Sequence, residues 1–378
     1  MNAAPIRLCR IGLVTLLVTA VAACEVVDSK SDKTKDTVSA AVAPAAVAES
    51  ARGTLATDSS AAAPAMSTDS ARNGVPDDTG LVRLYPSDPR RGGVAFALAE
   101  GAVTPTPRCT WKNAPTPCYR TDAGTQLTIP LPADEDAGTF TLTIDRPGGR
   151  IVRQITVGDR DFGRELILLT DSLYNRATNA RAIARDARAV RGIASIESAE
   201  QRWTGRWREP IVAAKSAGYG VERYYYRATD STSSIPLDAQ SHTRGTFAGD
   251  TSDAPFSGGP SWRHAGVDLP ARRGASVVAP AAGVVVDVGE YILSGKTVLI
   301  DHGQGVVSAY FHLDTAVVSK GDMIRAGGRV GRVGSTGLAT GPHLHYGIYL
   351  HGKDVDPAEW KDMPPWLTAR ADTATRQH

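Results

Sequence analysis

The first 241 residues contain no histidine. All eight imidazoles fall from His242 onward, and six of them lie between His264 and His351. A random scatter would not leave so long a stretch empty, so the block after 263 needs imidazoles. Aromatic residues are scarce at 6%, while Gly (37) and Pro (23) are plentiful. That balance argues against a helical bundle and for β structure with many turns. Neither sign of charge dominates, with 42 Lys and Arg against 40 Asp and Glu. The two sides become equal once Arg7 and Arg10, which lie in a removable segment, are set aside. A balanced chain has no long-range pull toward nucleic acid or an anionic membrane, so specificity must come from a groove. No Gly-Lys-Ser/Thr follows the glycines between 327 and 341, which removes a phosphate-binding loop. The four cysteines all precede residue 119, so no Cys-rich metal site can form next to the histidines by local spacing.

The N-terminus sets the compartment. Ile11 to Ala23 is an apolar run of thirteen residues, short of the roughly twenty that span a bilayer. With Arg7 and Arg10 before it, the run fits a signal-peptide core. It ends Val21-Ala22-Ala23-Cys24, which resembles the bacterial lipobox. The resemblance implies removal of 1–23 and a lipid anchor on Cys24. It also implies a place in the cell envelope, on the periplasmic face of the outer membrane in a Gram-negative host, since Glu25 rather than Asp follows. The plainer reading is an ordinary secretory signal with an incidental cysteine. Cys9 leaves with the signal. Cys109 and Cys118 remain, close together around Pro115 and Pro117, and an oxidising compartment would join them as a disulfide staple; two buried thiols are the alternative.

Composition then divides the chain. Residues 24–78 are Ala, Ser, Thr and Asp without an apolar period, and read as a disordered tether. Its coil reach is roughly 40 Å. Residues 79–158 read as a β domain. Phe140, Leu142 and Ile144 alternate with threonines, Pro147-Gly148-Gly149 signals a hairpin, and Ile151 to Val157 returns. About seven short strands suggest an immunoglobulin-like sandwich. Residues 159–208 read as a helical connector. Its Ala/Arg-rich run begins after Asp171-Ser172, with Gly192 as a break. Arg176, Arg181, Arg185, Arg188 and Arg191 form a basic side, more simply a solvated face than a contact for an anionic surface. Trp203, Trp207 and Arg223-Tyr224-Tyr225-Tyr226 read chiefly as core, with some part in a groove. Residues 228–261 form a long polar loop that leads into His264 as a wall of the cleft. Strand follows strand from there, giving a domain over 209–366 and a disordered tail over 367–378.

Three segments in that domain carry chemistry: His264-Ala265-Gly266-Val267-Asp268, Tyr310-Phe311-His312-Leu313 and Gly341-Pro342-His343-Leu344-His345. Residues i and i+2 of a strand share a face, about 6–7 Å apart. His343 and His345 therefore point into one space, where one can bind a metal and the other handle protons. His264 and Asp268 would stand roughly 13 Å apart if extended. The segment must bend for both to hold one ion, and Gly266 supplies that freedom. Two histidines and one aspartate with a fourth position left for water suit catalytic zinc. His302 reads as structural and His351 as a surface turn residue.

These segments, with Val278-Ala279-Pro280-Ala281-Ala282-Gly283, Ile300-Asp301-His302-Gly303 and Gly334-Ser335-Thr336-Gly337 between them, resemble the lysostaphin-type (LytM-like) zinc metallopeptidases of peptidoglycan. Tyr346-Gly347 departs from the family, where an aromatic and then Glu is common, but that position is not a ligand. The resemblance implies a mainly β protein with an N-terminal β-sandwich, a helical connector and a C-terminal antiparallel β peptidase domain. It implies one Zn2+ held by His264, Asp268 and His345, with His312 and His343 as the two non-ligand histidines. One of these would move the proton and the other hold the oxyanion, and the sequence leaves the two roles interchangeable. The expected activity is endopeptidase cleavage of peptidoglycan peptides, with a D-alanyl–diaminopimelate or glycyl-glycine bond as target according to host. A non-catalytic activator of a cell-wall amidase is the alternative, and a purely structural zinc a third reading. Expected partners are peptidoglycan peptides, a membrane through Cys24 and a regulatory protein, with the 79–158 domain or the 228–261 loop covering the cleft.

Overall fold

The computed structural model describes residues 81–101, 104, 106–203, 206–229, 261–361, 363 and 365–368. The chain divides into two units, Met1–Asp69 and Ser70–His378, and every described residue belongs to the second. The leader 1–23, Cys24, the tether 24–78 and most of the loop 228–261 lie outside the described residues. No described helix is long and apolar enough to cross a membrane.

Eight strands form the first part: β1 (Val82–Tyr85), β2 (Val94–Glu100), β3 (Cys109–Trp111), β4 (Ala114–Thr116), β5 (Tyr119–Thr121), β6 (Gly124–Pro130), β7 (Gly138–Arg146) and β8 (Gly149–Val157). They make two four-stranded sheets, ordered β1-β2-β6-β5 and β4-β3-β7-β8. The period-two pattern explains the second sheet. Leu142 and Ile144 of β7 and Ile151 and Ile155 of β8 point into the shared core. The alternating threonines point outward, where Thr139 and Thr156 hydroxyls meet at 2.9 Å. Cys109 and Cys118 are bonded as a disulfide. Strands β2 and β6 differ, being buried along almost their whole length. One face meets the sandwich core. The other carries Val94 and Phe96 into a second core with Trp203, Trp207 and Trp360. Phe96 meets Trp360 edge-on, with centroids 5.6 Å apart. Trp203 and Trp207 are thus core residues, and Trp207 also borders a pocket with Pro210, Tyr346 and Trp360, away from the histidines.

The stretch expected to be a helical connector begins instead with a strand, β9 (Arg164–Leu169), and continues into α1 (Asp171–Ala177) and α2 (Ala180–Ala194). The helical run breaks at Thr178-Asn179 and not at Gly192. The Asn179 side chain accepts from the Ala182 N–H and caps α2, the usual work of an asparagine there. Gly192 sits on an exposed position of α2, where a glycine costs only about 1 kcal/mol and the helix runs through it.

The remaining strands are β10 (Glu222–Arg227), β11 (Ser261–Arg263), β12 (Val267–Pro270), β13 (Ser276–Val278), β14 (Gly283–Tyr291), β15 (Gly295–Gly303), β16 (Val306–Ala316), β17 (Met323–Ile324), β18 (Arg329–Val333), β19 (His343–Leu350) and β20 (Lys353–Val355). β10 pairs with β9 in parallel and with β11 antiparallel. Nine strands form the main sheet, with β12-β19-β16-β15-β14-β17 as its central path. β15 and β16 are buried on both faces, and the buried polar residues Thr297, Asp301, His302, Ser308 and His312 sit among their apolar ones. One face meets the tryptophan core. On the other, Val190 and Ala194 of α2 lie on Leu299, Val307, Ala309, Phe311 and Tyr349. Residues 367 and 368, expected in the disordered tail, are helical. A short helix α3 (Pro365–Thr368) places Leu367, fully buried, in the main core, because a leucine beside Trp366 has apolar surface to cover.

Candidate metal centre

Strand pairing brings the motifs together. β12 and β19 are antiparallel neighbours with Asp268 opposite His345 and Pro270 opposite His343. The Asp268 backbone is held on its other edge too, through Ser216 N–H to Asp268 O at 3.0 Å and Asp268 N–H to Ala217 O at 3.1 Å. His264 enters from the turn between β11 and β12, and its backbone N–H donates to Val221 O at 2.8 Å. The result is close convergence. His264 Nε2 is 3.1 Å from Asp268 Oδ1, and His345 Nδ1 is 4.0 Å from the same oxygen. One ligand atom from each of the three residues lies within 4.8 Å of the others. Two imidazoles and a carboxylate at this spacing fit a divalent metal of the zinc type.

Gly266 has a different role from the one expected. Its φ is not in the left-handed region. A Cβ there would lie 2.6 Å from His345 Nε2 and 2.4 Å from Tyr346 O. The glycine serves by its missing side chain, which leaves room for the His345 ring.

His312 reaches the same space by a local irregularity. Alternation along β16 would turn it away from Phe311 and toward the tryptophan core. The β15–β16 register instead shifts by one residue between Val298↔Tyr310 and Lys296↔Leu313, a bulge that re-aims a side chain. His312 itself has φ 59°, uncommon for a non-glycine residue. Its ring centroid then lies 4.8 Å from that of His343 and 5.7 Å from that of His345.

Backbone carbonyls fix the imidazole tautomers. The Nδ1–H groups of His264, His312 and His343 donate to Gly218 O at 2.7 Å, Thr336 O at 2.8 Å and Gly341 O at 2.8 Å. Each ring keeps its Nε2 lone pair for the cleft. His343 Nε2 stands 3.5 Å from Asp268 Oδ1. Burial, reinforced by the nearby His343, pushes the His312 imidazole down to about 3. Burial, and then His264, holds His345 well below the usual imidazole range. Both rings are neutral near pH 7, the form able to bind a metal or accept a proton. Burial alone would raise the Asp268 carboxyl, but His264 and Arg223 more than offset it and hold it well below the ordinary range.

Arg223 is the residue that spacing does not reveal. Its Nη2 donates to Asp268 Oδ2 at 2.6 Å and its Nε to Glu165 Oε2 at 3.0 Å. The guanidinium, 11% exposed, thereby links β9, β10 and β12. It stands 45 residues before Asp268, next to three tyrosines in a strand that also carries Glu222 and Arg227. Helix α2 was expected as a helix but not as a wall of the cleft. Ile183, Ala187 and Val190 line the cleft above the histidines, facing Tyr225, Trp262 and Leu338. Tyr225 stacks on Trp262 with centroids 4.2 Å apart. No described residue of β1–β8 lines this cleft.

Two other histidines lie elsewhere. His302 is fully buried, with Nδ1 2.7 Å from Ala282 O and Nε2 2.7 Å from Ser308 Oγ. Its ring packs 4.7 Å from Trp207. His351, expected on the surface, bridges the sandwich and the main sheet: Nδ1 is 2.7 Å from Glu197 Oε1 and Nε2 is 3.2 Å from Thr128 O. The β19–β20 turn meets β6 there, which closes off the solvent that a turn residue normally faces.

Comparison with known proteins agrees with this geometry. The model of peptidase family M23 matches residues 262–357. The DD-carboxypeptidase/endopeptidase Mpg of Neisseria meningitidis is 41% identical over 115 residues, 30% of this chain and 26% of that protein. The peptidoglycan DD-endopeptidase ShyA of Vibrio cholerae is 38% identical over 93 residues, 25% of this chain and 22% of that protein. The chain thus spans about a quarter of the length of these curated relatives. The catalytic domain of the prophage-encoded M23 protein EnpA from Enterococcus faecalis is 30% identical. That match covers 30% of this chain and 89% of the EnpA domain, with a TM-score of 0.26. The segment matched by the family, residues 262–357, holds all five converging His and Asp side chains, and it is this segment that carries the peptidase M23 domain.

Proposed function

We propose that the protein is a zinc-dependent endopeptidase acting on the peptide cross-links of peptidoglycan. The observation that carries this reading is the convergence of His264, Asp268 and His345 within 4.8 Å, with two further carbonyl-anchored imidazoles beside them. Zinc held by these three residues would supply an acidic water and polarise a carbonyl. The chain's own residues do the rest. His312 and His343 aim Nε2 into the cleft, one using its lone pair to take a proton and return it to the leaving amine, the other donating to a developing oxyanion when its Nε2 also carries a proton. Arg223 keeps Asp268 ionised and aimed. The apolar wall of α2 excludes water from one side. The D-alanyl cross-link is the favoured bond, since the relatives Mpg and ShyA carry DD-peptidase names. We further read Cys24 as a lipid anchor at the cell envelope. We read the sandwich as immunoglobulin-like, because its order β1-β2-β6-β5 against β4-β3-β7-β8 follows the A-B-E-D and C-F-G arrangement.

The test is digestion of purified cross-linked muropeptides with parallel metal analysis. Wild-type protein should bind one zinc and cleave, chelator should abolish cleavage, and His312→Ala should keep zinc while losing turnover. Zinc-free protein, or absent cleavage together with stimulation of an amidase, overturns the enzyme reading in favour of an activator.

A further inference from the structure

His312 is held by two loops, and both loops are held by helices outside the family segment. The first loop, Ile292–Ser294 between β14 and β15, accepts the His312 backbone N–H at Ser294 O, 2.8 Å away. The second, between β18 and β19, accepts the His312 Nδ1–H at Thr336 O, also 2.8 Å away. The loops brace each other through Leu338 N–H to Leu293 O at 2.7 Å and Lys296 N–H to Thr336 Oγ1 at 2.9 Å. Their contact is tight: a Cβ on Gly337 would lie 2.3 Å from Leu293 O. A small shift of either loop must therefore move the other, and with it a histidine already in left-handed backbone.

Each helix grips one of these loops by a single polar bond. Asp186 of α2 is 4% exposed, and its Oδ2 accepts the Ile292 N–H at 2.5 Å. Its Oδ1 takes the Arg185 guanidinium at 3.2 Å. Arg176 of α1 donates from Nη1 to Gly337 O at 2.6 Å. Ile292 lies two residues from Ser294, and Gly337 follows Thr336. An acid buried on a helix otherwise apolar on that side is hard to account for unless it has a fixed duty.

We propose that Asp186 and Arg176 are positioning residues for His312, so that α1 and α2 belong to the working parts of the centre rather than to a connector. The inference rests on the reading of His312 as a proton carrier. It names two residues, 126 and 136 positions upstream by sequence number, that act on that histidine only through the loops.

The experiment uses the full chain as wild type, Asp186→Ala, Asp186→Asn, Arg176→Ala and Arg188→Gln, the last an exposed position on the same helix. Readouts are zinc content, thermal midpoint, kcat and KM on a cross-linked muropeptide, and the nitrogen resonances of the His312 ring. Asp186→Ala and Arg176→Ala should lose about tenfold in kcat, the scale of a misaligned proton carrier. KM should change less than about twofold and zinc content should stay at the wild-type level. Asp186→Asn should recover most of the loss, because its amide oxygen still accepts from Ile292. Arg188→Gln should match wild type. The ring resonances should show Nδ1–H fixed in wild type and tautomer mixing in the two alanine variants. Unchanged kcat with an unchanged tautomer in both alanine variants overturns the proposal, as does a loss that follows zinc content. If the wild type itself cleaves nothing, the functional reading fails, and the tautomer signal alone decides whether the helices hold the ring.

Discussion

The residues that could hold a metal and the residues that brace them come from different parts of the chain. The first group, His264, Asp268 and His345, lies with His312 and His343 in three short motifs between 264 and 345. The second lies upstream: Glu165 on β9, Arg223 on β10, and Arg176 and Asp186 on the helices. Ligands are recognisable by type and local spacing, since a strand brings His343 and His345 together whatever surrounds it. Their supports need only reach a carbonyl or a carboxylate, and long-range pairing decides which side chain does so. A family segment can thus hold every chemically active group without holding the parts that aim them.

Four measurements can break or sharpen this contrast. The largest effect should come from the motif side. Asp268→Ala should abolish metal binding by elemental analysis and lower turnover by about a thousandfold or more, matching the several kcal/mol a metal contributes. Retained zinc would mean that the centre is not where the motifs converge. Next comes a residue remote from the chemistry. Phe96→Ala removes the ring that meets Trp360 and should cost about 3 kcal/mol or more, read as a lower thermal midpoint with kcat per folded molecule unchanged. A selective loss of kcat would show that the sandwich acts on the cleft after all.

The third test joins the two groups. Arg223→Met leaves Asp268 Oδ2 without its donor, and zinc affinity should fall by about 10- to 100-fold. Equal affinity would reduce the strut to a packing residue. The smallest effect concerns a histidine inside the motif block that serves the core. Burial pushes His302 down to about 4, so the unfolded chain binds an extra proton there between that value and 6.5. Its stabilising share is complete above pH 6.5 and is lost as pH falls, with a slope of about 1.4 kcal/mol per pH unit. Comparing urea midpoints of wild type and His302→Gln across that window should show a steeper fall with acid in wild type, since His312 and His345 give both proteins the same background slope.

The β-rich fold was legible because β7 and β8 alternate cleanly and β14 to β16 are β-branched runs bounded by glycine. The five converging residues were legible because their spacing is local and their text resembles a family. What the sequence hid was non-local. Nothing marks the one-residue slip that swings His312 around, since a bulge is defined by the partner strand. Nothing marks Arg223, because an arginine among tyrosines is ordinary until the strand it pairs with is known. The arginines of α2 drew attention to its wet side, where Arg181, Arg185, Arg188 and Arg191 are indeed exposed. The telling residue was the one acid between them. Gly266 looked like a hinge and is a vacancy, a difference visible only once the neighbouring ring is in place.

The parallel ladder between β9 and β10 carries an evolutionary consequence. Arg164 pairs with Glu222 and Leu169 with Arg227, so the chain must leave one end of this small sheet and return at the other, carrying both helices on the way. A recombination event that grafted only the motif block into another gene would sever that ladder and strand Asp268 without its guanidinium. A graft that keeps this centre together with its supports must begin upstream of residue 164, ahead of the whole crossover.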